Sequence, residues 1–390
     1  MSAGPYNYLF TLANVTNTGA PRMAVYYAMA LRLRGHHVRL AFGGGAEETT
    51  DSIILEDMRA AGVACTHVPE LGRPIDPRLP RRIAALAARP CKAVVGFTQR
   101  DRCVALLAAR KLSAKGVIHG GNFHKFHGTF PIAQLKAAYY RYVVTRYCDI
   151  VVCTNKIILA EFSSRYGLAD AQLKSLPNFI DVGRFQRLDP EVRRHTRARY
   201  GAKDGTTVLV TVARMDEQKG HLDLIEAFSR VCAEFPRICL WIAGGTATGA
   251  GAAKSEAYAD EVRGTIRAKN LADRVRLLGA VSEIPQLHAA ADIYVHAARW
   301  GGWDLGLLEG MACEKPAVFT DAFGRFDAFE DGVHGYCTVS GNVDQFTEAL
   351  RSTLRLDPER RAEMGRHGRA LICDNYSVEA LSPRFASYIE

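Results

Sequence analysis

Arg214 and Lys219 stand five residues apart and bracket the loop after the apolar run TVLVTVA (207–213). Two cations at the carboxyl end of a strand suit a diphosphate, because arginine offers a planar fork and lysine a point charge. Lys219-Gly220 leads into a helix-like stretch anchored by Leu222, Leu224, Ile225 and Phe228. An ordinary ion pair at Arg214 and a solvated lysine at a helix start would give the same spacing, so both readings stay open. A second group lies in RWGGWDLGLLEGMACEKPAVFTD (299–321). Gly301, Gly302 and Gly306 make a loop whose backbone N–H groups can approach a ligand closely. Glu309 follows on a helix. A carboxylate there can accept hydrogen bonds from a ribose diol; the bland alternative is a glutamate that favours the helix N-terminus. A third group is Thr18-Gly19-Ala20, a tight turn after YLFTLAN (8–14), with Pro21 expected to open a helix where its missing N–H costs nothing. A helix start after small residues presents free donors and positive dipole to an anion. Many such turns bind nothing.

These loops need strands and helices to place them. Short β-branched or apolar runs fall at 8–14, 37–43, 64–70, 93–99, 116–121 and 150–155, and then at 207–213, 238–244, 275–280, 293–298 and 316–321. Helix-like stretches separate them at 21–34, 50–61, 78–88, 102–111, 130–147 and 157–166, then at 222–235, 255–269, 283–290, 306–312 and 343–354. Two successive βα series predict an α/β protein with two doubly wound parallel sheets. The stretch 177–207, rich in Pro, Gly, Asp and charge, reads as the connection between them. Open α/β sheets bind ligands beyond the carboxyl ends of their strands, and that is where the three groups lie.

Composition narrows the class. With 390 residues the chain exceeds one ordinary core, and 48% hydrophobic with 23% charged residues is normal for a folded protein. No apolar run approaches the ~18 residues of a membrane span. The opening residues lack the basic and apolar regions of a signal peptide. The ten cysteines are scattered with no Cys-x-x-Cys pair, which argues against zinc and a disulfide framework and predicts a cytoplasmic protein. The net charge of +9 is unevenly spread: residues 1–180 hold 23 Lys/Arg against 11 Asp/Glu, a net +12, and the rest 27 against 30, a net −3. The basic half predicts an anionic partner: a phosphorylated substrate, an anionic membrane surface or nucleic acid. No helix-turn-helix, zinc finger or aromatic RNA motif supports nucleic acid.

The segments VARMDEQKGHLDLIEAF, WIAGG, LLGAVSEIPQLHAAADIYVHAA and LGLLEGMACEKPAVFTD resemble the retaining glycosyltransferases of the large family 4, also called glycosyl transferases group 1. That family includes bacterial mannosyl- and glucosyltransferases, sucrose synthase and lipopolysaccharide-core and cell-surface glycan enzymes. LRLRGHHVRLAF, VIHGG, VVCTN and LPNFIDVGRF match its pattern in order, so the resemblance covers nearly the whole chain. It implies the two-domain GT-B fold: an acceptor-binding Rossmann-like domain over 1–183, a donor-binding one over 184–376, and a C-terminal helix over 377–390 that returns to the first. It implies a nucleoside-diphosphate sugar, UDP- or GDP-linked, as donor, a hexose-type sugar transferred to a glycan or lipid-linked acceptor, and no cofactor or metal. Arg214 and Lys219 would hold the diphosphate and Glu309 the ribose. Backbone N–H groups of Gly302, Trp303, Asp304, Leu305 and Gly306 would reach the distal phosphate and sugar. Gly19 and Ala20 would approach the donor from the first domain. Gly244 and Val281 would line the nucleotide, Val281 by backbone contact to the base. His119 would contact the sugar near the reacting carbon, with His124 and His127 as alternatives of shifted register, and a core or surface histidine as the plain reading of each. The +12 half would take an anionic acceptor, at the inner face of a membrane.

One departure stands out. The family carries Glu-x7-Glu, and where the first glutamate belongs this chain has Gly301. Asp304 falls where the family has a small residue. Either Asp304 contacts the sugar instead, or the sugar is recognised differently, or the chain is an idle sugar-nucleotide-binding or scaffold protein. A sugar-nucleotide epimerase on the same fold is a further alternative.

Overall fold

The computed structural model describes residues 4–44, 52–72, 76–121, 131–247, 251–301, 303–326 and 328–390. His124, His127 and Gly302 lie outside them. The chain divides into two compact units, Met1–Phe179 with Val378–Glu390, and Ile180–Ser377. The sequence reading put these divisions at 183 and 376.

In the first unit the elements are β1 (Asn7–Leu12), α1 (Gly19–Leu33), β2 (His37–Phe42), α2 (Ile53–Ala60), β3 (Ala64–His67), α3 (Leu79–Ala85), β4 (Cys91–Gly96), α4 (Gln99–Leu112), β5 (Lys115–Gly120), α5 (Ile132–Tyr147), β6 (Ile150–Cys153), α6 (Lys156–Tyr166) and β7 (Leu173–Ser175). The sheet is parallel in the order β3-β2-β1-β4-β5-β6-β7. Its central strands are buried on both faces, as continuous runs such as YLFTL and CKAVVG require. The helix after β1 begins at Gly19, two residues before Pro21, because Thr18 O already accepts from Arg22 N at 3.0 Å. Pro21 still fits, since first-turn N–H groups have no partner inside the helix.

The second unit holds α7 (Pro190–Arg199), β8 (Thr207–Val212), α8 (His221–Val231), β9 (Ile238–Ala243), α9 (Ala252–Ala268), β10 (Val275–Gly279), α10 (Ile284–Ala290), β11 (Ile293–His296), α11 (Leu305–Ala312), β12 (Ala317–Thr320), β13 (Gly335–Thr338), α12 (Val343–Arg355) and α13 (Pro358–Tyr376). Its sheet is also parallel, in the order β10-β9-β8-β11-β12-β13. The core packs Leu209, Leu240 and Val295 of the strands against Ile225, Phe228, Val262 and Leu350 of the helices.

The stretch 177–207 is not all connection, because α7 lies inside it. Asp189 caps that helix by accepting from Glu191 N at 2.8 Å, and Pro190 occupies its first turn. Arg193 and Arg197 then tie it to Asp292 at 2.6 and 3.1 Å. The sequence reading also left out β7, β13 and α13; the two strands, LKS and GYCT, present no apolar run. The last helix, α14 (Val378–Ile389), belongs to the first unit. There Phe385 meets Tyr27 of α1 at 4.1 Å between ring centroids, and His36 pairs with Glu390 at 2.9 Å. Among the described residues no helix is long and apolar enough to cross a membrane.

Candidate active site

In the second unit, β8 and β11 are neighbours although far apart in sequence, so the loops beyond their carboxyl ends adjoin. Arg214 lies just past β8, exposed, with its guanidinium 3.3 Å from Asp216. Asp216 caps a 3-10 turn at Glu217–Lys219 by accepting from Gln218 N at 3.2 Å. That turn delivers Lys219, and Gly220 reverses the chain into α8 at φ +64°. A Cβ on Gly220 would lie 1.8 Å from Ala297 O, so the close approach of the two loops also demands glycine there. Gly244, at the end of β9, sits at φ +145°, and its Cβ position is 2.0 Å from Ala213 O. This glycine lets the β9 end pass close beneath the backbone of Arg214. Val281 is half-buried in the loop after β10.

Across from the β8 loop, α11 starts at Leu305 with Asp304 as its cap residue. Gly306 and Gly310 let it close on β11, since a Cβ at either would come 2.7 Å from Tyr294. Lys219 Nζ donates to Asp304 Oδ2 at 2.6 Å, and this bond joins the two loops. Burial raises the Asp304 pKa, but His296 and Lys219 outweigh it and hold the carboxyl well below its usual range. His296 lies 3.4 Å from Asp304 Oδ2, is wholly buried, and is pushed down to about 4 by desolvation. Glu309 is buried, 3.5 Å from His288 Nε2. Each site carboxylate on α11 thus has a buried histidine behind it. Trp303 is held in an aromatic cluster, with Phe326 at 4.6 Å, Tyr376 at 5.3 Å and Phe323 at 5.6 Å.

The structure therefore brings Lys219, Asp304, Leu305, Gly306 and Glu309 together at the carboxyl ends of β8 and β11, with Arg214 on the same loop as Lys219. Sequence reasoning missed His288, His296 and Tyr294, and named Gly220 only as the residue before a helix. Tyr294 and His296 alternate on one strand, so their shared face was readable from the period-two rule. Gly301 has φ +139°, a region that side chains rarely adopt, and its Cβ position is 2.9 Å from Gln218 Nε2. The backbone, and not only the side chain, departs there from one built for glutamate. Among the described residues no group of three or more His, Cys, Asp or Glu is arranged to hold a metal ion.

In the first unit, Gly19 is exposed, Ala20 half-buried, and a Cβ on Gly19 would meet nothing within 4 Å. His119, at the end of β5, is buried, and desolvation with nearby Arg102 pushes it down to about 3, so the ring is neutral. Its Nδ1 lies 3.1 Å from the Tyr27 hydroxyl, and burial raises that hydroxyl's pKa. The neutral ring and the protonated hydroxyl thus share one hydrogen bond. Nε2 faces Gly121, whose Cβ position is 2.7 Å away. Asp101 fastens the neighbouring loop. It accepts from Thr11 Oγ1 at 3.0 Å, Ala13 N at 3.0 Å, Phe97 N at 2.9 Å and Thr98 N at 3.1 Å, and also from the Thr98 hydroxyl.

Residues 192–371 match the family described as Glycosyl transferases group 1, and residues 17–184 match Glycosyltransferase Family 4. A GDP-mannose-dependent monoacylated alpha-(1-6)-phosphatidylinositol monomannoside mannosyltransferase of Corynebacterium glutamicum is 30% identical over 251 residues, 62% of each chain. The chain thus spans under two thirds of that relative. A lipopolysaccharide core biosynthesis glycosyltransferase of Rhizobium meliloti is 25% identical over 260 residues, 67% of this chain and 69% of its own. The fold is shared with HepE of Anabaena in complex with UDP and glucose. There the TM-score is 0.78 and the identity 19%, over 97% of this chain and 98% of that one. With Family 4 sequence across its first half and group 1 sequence across its second, the chain belongs to the group 1 glycosyltransferases of the GT-B fold.

Proposed function

We propose that this protein is a retaining glycosyltransferase that moves a hexose-type sugar from a nucleoside-diphosphate sugar to an anionic glycan or lipid-linked acceptor. The observation that carries the reading is the meeting of Lys219 with the start of α11, beside Arg214 and Glu309, at the carboxyl ends of β8 and β11. Arg214, Lys219 and the first N–H groups of α11 stabilise the diphosphate, and Glu309 takes the ribose hydroxyls. Gly244 and Val281 border the nucleotide. Trp303, fixed by its aromatic neighbours, presents its backbone to the distal phosphate. A relative named for GDP-mannose, and a fold neighbour holding UDP and glucose, support a UDP- or GDP-linked donor.

Transfer proceeds on one face of the sugar. The bond from the anomeric carbon to the diphosphate oxygen breaks, its electron pair staying on that oxygen. The acceptor oxygen bonds the anomeric carbon, and its proton passes to the departing phosphate oxygen. Arg214 and Lys219 stabilise the charge that develops on the leaving group, which is the largest task left to the protein. This scheme asks for no metal. The first unit takes the acceptor, with Gly19 and Ala20 leaving room for the reacting groups. His119, neutral and held by Tyr27, offers a polar ring edge and no charge.

Helix α5 supports an anionic surface as acceptor platform. It exposes Ile132, Leu135 and Tyr142 and carries Lys136, Arg141 and Arg146 with no acidic residue. Apolar side chains among cations suit the inner face of an anionic membrane, at ~1 kcal/mol per cation. Equal binding to anionic and neutral vesicles would remove this part.

Thermal-shift titration with UDP, GDP, ADP, CMP and dTDP tests the donor site. One nucleotide should stabilise the wild type, by ~2.7 kcal/mol at ~100 times its dissociation constant, and neither Arg214→Ala nor Lys219→Ala. Absence of any shift would favour the rival reading motivated by Gly301, a scaffold protein, and a shift without turnover would favour an idle sugar-nucleotide binder. Turnover without acceptor would identify an epimerase.

A further inference from the structure

The lysine assigned to the diphosphate already has a counter-ion. Lys219 Nζ lies 2.6 Å from Asp304 Oδ2, and the two side chains are only 17% and 7% exposed. The other groups facing this carboxylate include, from the same unit, His296 Nε2 at 3.4 Å from Oδ2, the Tyr294 hydroxyl at 3.5 Å from Oδ1 and the backbone N–H of Leu307. Among the described residues His296 makes no hydrogen bond through either ring nitrogen. With both oxygens facing protein groups, Asp304 is poorly placed to replace the glutamate missing at 301 as a sugar contact. The second cation is matched too, since Arg214 lies 3.3 Å from Asp216. A diphosphate arriving here meets cations already balanced by carboxylates, one of them almost fully buried. Screening by water is weak at such a site.

We propose that Asp304 is an internal competitor for the diphosphate, holding the Lys219 ammonium when the site is empty and weakening the grip on the nucleoside diphosphate left after transfer. This rests on the reading of Arg214 and Lys219 as the diphosphate site. The sign of the effect follows from charge. A nucleotide sugar carries a diphosphate esterified at both ends. The product nucleoside diphosphate has a free terminal phosphate, whose second proton leaves near pH 6, and so gains most of one further negative charge at pH 8. A fixed carboxylate beside Lys219 repels the product more than the donor. Asp304 thereby favours donor over product, and turnover is less inhibited by the nucleotide released.

Isothermal titration at pH 8 with UDP and UDP-glucose, and with GDP and GDP-mannose, tests this on the full-length protein. The variants are Asp304→Asn, Lys219→Met and the two combined, with Asp304→Gly as a second form should the asparagine variant melt early. Asp304→Asn should tighten the nucleoside diphosphate about tenfold or more and the matching nucleotide sugar by less. In the Lys219→Met background the same change should do little. Unchanged or weaker nucleoside-diphosphate binding in Asp304→Asn overturns the proposal. So does an effect confined to the nucleotide sugar, which would mean that Asp304 touches the sugar. If the wild type binds neither pair, the diphosphate reading itself falls, a result distinct from the others.

Discussion

The two sheets place their strands in the same order from the third strand to the sixth, yet the first crossovers are closed by different chemistry. In the first unit a buried carboxylate, Asp101, takes five hydrogen bonds from backbone and hydroxyl donors, and among the described residues no cation pairs with it. In the second, Asp304 takes the Lys219 ammonium. The first arrangement locks a loop and leaves nothing over for an anion. The second keeps a positive group beside a helix start, where another anion can claim it. The glycines differ in the same way. Gly19 faces open space, whereas Gly220 is pressed against Ala297. A glycine after a first strand can thus serve a visitor or serve the packing.

Gly220→Ala should break the second unit most severely. It combines a positive φ with a Cβ position 1.8 Å from a carbonyl oxygen, and we expect a loss above ~3 kcal/mol, seen as a collapsed melting temperature or insoluble protein. An ordinary melting curve for this variant would mean that the β8 loop can move away from Ala297.

Acid should separate the units next. His221 and His296 in the second are each pushed down to about 4, chiefly by desolvation, and His119 in the first to about 3. Each pKa lies below the unfolded value of ~6.5, so the unfolded chain binds more protons between those limits. The stabilisation is full above pH ~6.5 and is lost as pH falls toward 4, at ~1.4 kcal/mol per pH unit for each histidine. The second unit should lose about twice as much as the first. Trp241, Trp300 and Trp303, all the tryptophans of the chain, lie in the second unit. Their fluorescence midpoint should therefore fall faster below pH 6.5 than the circular dichroism midpoint. Parallel decline of both would show that the histidines do not set acid stability.

A smaller effect is expected from Glu309→Gln, which keeps the shape and removes the charge. It should weaken nucleotide binding several-fold without lowering the melting temperature by more than a few degrees. Smallest of all is the stability change from Gly19→Ala, within ~0.5 kcal/mol, since its side chain would meet nothing. That variant should lose transfer activity while still binding nucleotide. Normal activity would show that no ligand approaches Gly19.

Much of this was legible in one dimension. Strands of parallel sheets buried on both faces read as continuous apolar runs, and eleven were placed from those runs. The loops bearing Arg214, Lys219 and Glu309 followed, because a strand-to-helix loop is local. Strands Leu173–Ser175 and Gly335–Thr338 escaped because LKS and GYCT are not apolar runs, unlike the equally short Ile150–Cys153 and Ala317–Thr320. The helix Pro190–Arg199 escaped for a different reason. It is polar on most faces and is held by ion pairs to Asp292, about a hundred residues away. Its Asp-Pro start was nonetheless a readable cap.

The sequence by itself determined the two α/β halves, the loops that could carry chemistry, and the unusual glycine at 301. Those properties depend on neighbours along the chain: apolar period, glycine turns and residue type. Only the tertiary structure decided what those residues face. Lys219 meets a carboxylate 85 positions away, His296 and His288 stand behind Asp304 and Glu309, and Gly301 adopts a backbone that a glutamate would strain. Parallel strand order brings the ends of β8 and β11 side by side. Partners set by that adjacency, and by burial that strengthens charge, have no local spacing from which to be read.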